Sequence, residues 1–302
     1  MSTVSTAVRR FIRSGRVRNA ALASGVAEEF ASSYVAGADA TEARVVVERL
    51  RRQGLLVSLA YLPTSNDEAE TPGALVHALE VLDALAVGAE LSIKPSSLGL
   101  RTDPASAASR LRDLCDAAEQ RGAVVTLEMQ GAEAYDETLR LWRGVHAHHG
   151  SLGLTLPSDI RRSEREVASV SAEGARVRLC VGSYPVPRSI GLRSEREKSK
   201  ALVRCLRRVM EDGGYAMLAT HDPTLITIAQ ELAHRNAVPA NGFEFQMFYG
   251  VRPLEQRRLT DIGYRSRTYL PFGPAWFEYL TTRLAARPRT MFSYLRALGD
   301  KR

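Results

Sequence analysis

Eight short runs of aliphatic, β-branched and aromatic residues recur along the chain. They are Leu55–Ala60, Glu90–Ile93, Val124–Leu127, Leu152–Leu156, Val177–Val181, Ala216–Thr220, Phe243–Met247 and Arg267–Leu270. Most are bounded by Gly or Pro, as strands are. Between them the apolar positions return at helical spacing, for example over Asp39–Gln53, Ala74–Ala86, Ala105–Gln120 and Ser194–Glu211. Each of these is followed by a glycine (Gly54, Gly88, Gly122, Gly213), the residue that most readily ends a helix. Strand–helix alternation repeated eight times predicts an α/β protein, a parallel (β/α)8 TIM-like barrel. The strand starts lie about 24 to 39 residues apart, the length a βαβ unit needs. A doubly wound open sheet would carry a Gly-rich phosphate turn after an early strand, and no GxGxxG occurs. Residues 1–33 read as an N-terminal helical flank, leaving 34–302 for the barrel.

Composition supports this picture. The 302 residues are 45% hydrophobic and 25% charged, enough for one large barrel core. There is no run of about 18 apolar residues to span a membrane. Met1–Arg18 is Arg-rich but has no apolar core of signal-peptide length, so a cytoplasmic location is expected. Cys115, Cys180 and Cys205 lack metal-ligand spacing and read as buried free thiols. His146, His148 and His149, in a polar run before Gly150, read as a solvated helix end, so no metal is expected. The net charge is +7, yet only four of the 41 basic residues are Lys. The arginines are dispersed, without the aromatic interleaving or motif of a nucleic-acid binder. Peripheral contact with an anionic membrane surface remains compatible with the charge.

Functional groups of such barrels gather at the C-terminal strand ends. Lys94 follows the second predicted strand, placed to meet an anion. Glu128 follows the third, to pair with Lys94 or to face a substrate nitrogen. Arg178 sits on the fifth, where a guanidinium must meet a charge or a cofactor. Thr220 and His221 end the sixth, just before Asp222-Pro223, a helix cap and first turn. Glu244 and Gln246 share one face of the seventh. Arg267 and Tyr269 lie on the eighth, and a helix follows with Trp276, Tyr279 and Arg283 at spacings of three and four. Arg, Tyr and Trp converging beside strand ends suit a small, carboxylated, partly apolar ligand. No Ser-His-Asp or Cys-His arrangement supports a hydrolytic nucleophile.

Read in order, YVAG at 34–37, GLLVSLAYL at 54–62, SIKPSSLG at 92–99, VTLEMQG at 125–131, RVRLCVGSY at 176–184, ATHD at 219–222, EFQMFYG at 244–250 and RTYLPFGPAWFEYLTTRLAARP at 267–288 resemble the proline dehydrogenases over roughly Tyr34–Leu298. The resemblance implies a β/α barrel with noncovalent FAD. It implies hydride transfer to flavin from the carbon beside an amine nitrogen, and electrons that leave through a quinone or another acceptor. It marks Lys94 and Arg283 as ligands of a substrate carboxylate, Tyr269 and Tyr279 as pocket walls, and Glu128 as the counterpart of a family Asp. Arg178 resembles the arginine near the flavin's reactive nitrogen. Gly182, Thr220, His221 and Gln246 fall in segments that resemble FAD-binding ones. The substrate would be a small amino or imino acid.

Several positions depart from the pattern. Thr282 replaces one of two adjacent arginines, Val181 a Lys, Pro157 a flavin-contacting Gln, Ala60 an Asp and Ala286 a Glu. These departures point to a divergent member, acting on proline or another cyclic or secondary amine. A repurposed barrel that has lost its flavin chemistry is the alternative.

Overall fold

A computed structural model describes residues 32–64, 67 and 69–286, with side chains to Thr281. The predicted N-terminal helices lie outside the described residues. Each strand hydrogen-bonds in parallel to the next in sequence, and the eighth returns to the first, closing the barrel. The strands are β1 (Leu56–Tyr61), β2 (Glu90–Ile93), β3 (Val124–Leu127), β4 (Gly153–Pro157), β5 (Arg176–Cys180), β6 (Tyr215–Ala219), β7 (Glu244–Phe248) and β8 (Arg265–Phe272). The helix α1 (Ala40–Arg52) precedes them. Between and after them run α2 (Glu70–Leu82), α3 (Pro104–Gln120), α4 (Tyr135–His146), α5 (Ser163–Ala172), α6 (Glu195–Glu211), α7 (Pro223–Arg235), α8 (Pro253–Asp261) and α9 (Trp276–Ala286).

Local chemistry sets the helix starts. The Asp39, Asp103 and Asp222 carboxylates accept backbone N–H groups of the first turns of α1, α3 and α7. Ser194 and Glu197 form a reciprocal capping box on α6. Five strands are offset from the sequence reading by one residue, and two elements, α2 and β8, differ by more. Helix α2 begins at Glu70, before Pro72-Gly73, because proline is tolerated in a first turn where its missing N–H has no helical partner. It ends at Leu82, and Asp83–Ala86 tightens into a 3₁₀ turn. Strand β8 runs two residues further each way, through Pro271, which aligns with Ala60 of β1.

Strand residues alternate in direction. Val57, Leu59, Leu91, Ile93, Leu154, Leu179, Leu218 and Phe245 face outward into one continuous core with Leu75, Leu79, Leu111, Trp142, Leu206 and Val209 of the helices. The inward positions are strongly polar. Glu90 is fully buried and accepts from Ser58 Oγ and Thr126 Oγ1, each at 2.6 Å, and from Arg178. Glu244, also fully buried, takes both arms of Arg267 at 2.7 and 2.9 Å, and Arg267 donates in addition to the carbonyls of Val57 and Gly88.

Burial alone would raise the Glu90 pKa, but Arg178, Arg267 and Arg176 bring it down to about 2. At Glu244 burial likewise pushes the pKa up, but the Arg267 charge and hydrogen bonds outweigh it and hold the pKa below the usual value. A folded-state pKa below the unfolded value of ~4.3 means the contribution is complete above that pH and is lost as pH falls toward the folded pKa. The stability advantage of the native protein over Glu90→Gln should therefore shrink between pH ~4.3 and about 2. Urea unfolding of both proteins across that range checks it, and a constant difference would exclude the coupling.

Candidate active site

At the C-terminal rim, one hydrogen-bonded chain crosses the barrel mouth. Arg178 is buried; its Nε donates to Gln246 Oε1 at 2.6 Å and its Nη1 to Ser92 Oγ at 2.8 Å. Ser92 Oγ donates a hydrogen bond to Glu128 Oε1 at 2.8 Å, and Tyr269 Oη donates to the same oxygen at 2.8 Å. The Arg178 guanidinium also lies 5.9 Å from the Tyr269 ring centroid, within cation–π range. Strand alternation makes this possible: Glu90, Ser92 and Lys94 are i, i+2, i+4 on β2 and its end, so all three point inward.

Lys94 is half-buried at the mouth, and among the described residues no hydrogen bond or ion pair engages its ammonium. Glu128 is half-buried. Burial pushes its pKa up, but Lys94 first, then Arg178 and the Ser92 and Tyr269 hydrogen bonds, hold it below the usual range. Glu128 is thus a carboxylate, not an acid, at neutral pH. Burial and the adjacent Glu128 charge push the Tyr269 phenol well above 10, so it stays a hydrogen-bond donor.

The other predicted residues divide into two groups. Tyr279 is close enough to Tyr269 to affect its ionisation. With Trp276 it packs against Val35, Leu62 and Leu280, over one side of the mouth. Arg283 lies on α9, but its side chain is outside the described residues. Gln246 sits beneath the mouth, with its amide divided between Arg178 and Glu244. Thr220 Oγ1 accepts from Asp222 N at 3.2 Å, and His221 Nε2 accepts from Phe248 N at 3.0 Å. His221 also stacks on Phe248, which meets Tyr269 edge to face. Thr220 and His221 therefore brace the β6 and β7 ends behind the tyrosine.

Gly182 belongs to a second feature, a cleft at the ends of β4 and β5. Met129, Thr155, Pro157, Asp159, Cys180 and Gly182 line it. Two expectations need correction here and nearby. Cys180 is half-exposed toward this cleft, whereas Cys115 and Cys205 are buried thiols. His149 is not solvated. It is buried between α3 side chains, Nδ1 3.3 Å from Glu119 and Nε2 3.9 Å from Asp116. These three groups are close enough to hold a metal ion, but the two ring nitrogens serve opposite carboxylates, the arrangement of a bridging imidazole.

The sequence reading passed over Ser92, Glu90, Thr155 and Asp159. Ser92 and Glu90 were readable from the two-residue period that includes Lys94. Thr155 and Asp159 carry no motif, and only the three-dimensional cleft brings them together.

Charged and aromatic groups gathered above a closed parallel sheet define a (β/α)8-barrel protein with its working face at the C-terminal rim. A family model described as proline dehydrogenase matches residues 195–285. Proline dehydrogenase 1 of Bacillus subtilis (strain 168) is 30% identical over 275 residues, covering 90% of this chain and 91% of that one. The chain belongs to the proline dehydrogenase family. Proline dehydrogenase of Deinococcus radiodurans is 28% identical over 268 residues, 86% of each chain. Among solved structures, proline utilization A (PutA) from Bdellovibrio bacteriovorus inactivated by N-propargylglycine superposes with a TM-score of 0.77 at 19% identity over 85% of this chain. This chain spans about a third of that one, 32% of its length. Among the described residues no helix is long and apolar enough to cross a membrane.

Proposed function

We propose that this protein is an FAD-dependent dehydrogenase that oxidises proline, or a proline-like cyclic or secondary amine, to an imine. One observation carries the reading most of the way. An unengaged Lys94 ammonium stands beside an ionised Glu128, with Tyr269 and Arg178 on the same hydrogen-bonded chain. A zwitterionic amino acid has a carboxylate for the first and an amine for the second.

The residues present suit a flavin. The cleft beside Arg178 has apolar walls and two buried polar atoms with no partner among the described residues, Thr155 Oγ1 and Asp159 Oδ1. Thr155, Asp159 and Gly182, with the Thr220–His221 strand end, would hold the cofactor. FAD, when bound, supplies the hydride acceptor.

The protein's own work is binding, orientation and electrostatics. Lys94 fixes the substrate carboxylate, with Arg283 as a second anchor by resemblance. Glu128 accepts a hydrogen bond from the substrate nitrogen and so orients the adjacent carbon. Tyr269 and Tyr279 wall the ring and exclude water. Arg178, held rigidly by Glu90, Ser92 and Gln246, presents a fixed positive charge where negative charge develops. The electron acceptor would be a quinone or another small carrier. A cytoplasmic protein with peripheral membrane contact fits a lipid-borne quinone and the +7 charge.

Cofactor binding is the first test. Protein incubated with FAD and desalted is expected to retain flavin in roughly stoichiometric amount, with quenched or shifted flavin fluorescence. Protein that retains none would return the weight to a repurposed barrel.

A further inference from the structure

The cleft between the β4 and β5 ends holds a buried carboxylate, Asp159, one of whose oxygens, Oδ1, lacks a hydrogen-bond partner among the described residues. Asp159 is 4% exposed and Thr155 7% exposed, and the Oδ1 of one and the Oγ1 of the other have no hydrogen-bond partner among the described residues. Both line the same cleft. The backbone around Asp159 is pinned: its carbonyl accepts from Leu192 N at 2.8 Å, and the preceding Ser158 N donates to Cys180 O at 2.8 Å. The neighbouring Ile160 forms an isolated bridge with Gly191. The backbone that carries the carboxylate is therefore fixed at the cleft.

Gly182 makes room for it. A Cβ at that position would stand 2.2 Å from Asp159 Oδ1 and 2.8 Å from Oδ2. The Gly182 backbone does not have a positive φ, so glycine is needed there for space and not for conformation. A sequence that clears space for a buried carboxylate and leaves one of its oxygens without a partner has reserved an acceptor for a ligand. Burial raises the Asp159 pKa; hydrogen bonds from the backbone of Asp159 and Gly182, together with Lys198, oppose the shift, and Glu195 adds to it.

The surroundings define the ligand. Met129, Pro157, Ile160 and Cys180 give flat apolar walls. An N–H donor belongs opposite Asp159, and a donor or an acceptor opposite Thr155. A planar heterocycle with an imide edge has all of these. Resting on the flavoenzyme reading, the geometry points to Asp159 as the acceptor for the imide N–H of the flavin ring, with Thr155 beside it.

The test compares binding of FAD and of N3-methyl FAD, which lacks that N–H, by flavin fluorescence. Three proteins are used: wild type, Asp159→Asn and Asp159→Ala. Wild type is expected to favour FAD by about tenfold or more, the worth of one hydrogen bond. Asp159→Asn keeps an acceptor oxygen and should keep most of that preference. Asp159→Ala should lose it. A wild type indifferent to the methyl group, or an Asp159→Ala that discriminates as strongly as wild type, would overturn the assignment. A wild type that binds neither flavin would overturn the flavoenzyme reading itself, a separable outcome.

Discussion

Arg267→Met is expected to destabilise the barrel by ~3–5 kcal/mol, the usual result of leaving one member of a buried ion pair uncompensated. Glu244 is fully buried and takes both guanidinium arms, while the same guanidinium closes the carbonyls of Val57 and Gly88. Removing Arg267 strands all of these at once. The loss should also reach the mouth, since Glu244 orients Gln246 and Gln246 orients Arg178. The double variant Arg267→Met/Glu244→Leu should recover much of the stability, because the pair is worth far less against an apolar replacement than a broken pair costs. Chemical denaturation of the three proteins measures both effects. A single variant within ~0.5 kcal/mol of wild type would mean that solvent reaches the site and the charges are not buried.

Lys94→Met should lower kcat/KM for the amino-acid substrate by about 10- to 150-fold, mostly through KM, as loss of a charge-assisted hydrogen bond of ~1.5–3 kcal/mol would do. Flavin content should be unchanged, because Lys94 does not line the β4–β5 cleft. The same substitution removes the charge that does most to keep Glu128 ionised. The acidic limb of the pH–rate profile should therefore move to higher pH. An unchanged KM with an unchanged profile would remove Lys94 from the site.

Much of this was legible in the chain because it is local. Strand–helix alternation, Gly helix stops and Asp or Ser caps are short-range signals, and the closed eight-stranded sheet follows from them. Errors arose where a residue's usual meaning was overridden. The apolar period placed α2 at Ala74–Ala86, but Pro72 and Gly73 sit in its first turn, where proline costs little. Pro271 read as the end of β8 but continues it beside Ala60. His149 looked solvated among polar neighbours, yet the chain turns it onto Asp116 and Glu119 of α3.

The site was legible as a set of residues and not as a circuit. Lys94, Glu128, Arg178 and Tyr269 stood out as polar groups at strand ends. The links between them are long-range: Ser92 to Arg178 spans 86 positions and Tyr269 to Glu128 spans 141. No pattern in the sequence announces such pairs, although the two-residue period of β2 placed Ser92 on the correct face. Gln246 shows the same limit. Its position on β7 was readable, but its commitment to Arg178 and Glu244 was not.

The most direct test of the central claim is the visible spectrum of the FAD-loaded protein during anaerobic titration with L-proline. The account predicts that the flavin bands bleach as proline is added, and that Lys94→Met needs far more proline for the same bleaching. Flavin bands that persist with proline and with other cyclic or secondary amines would contradict it.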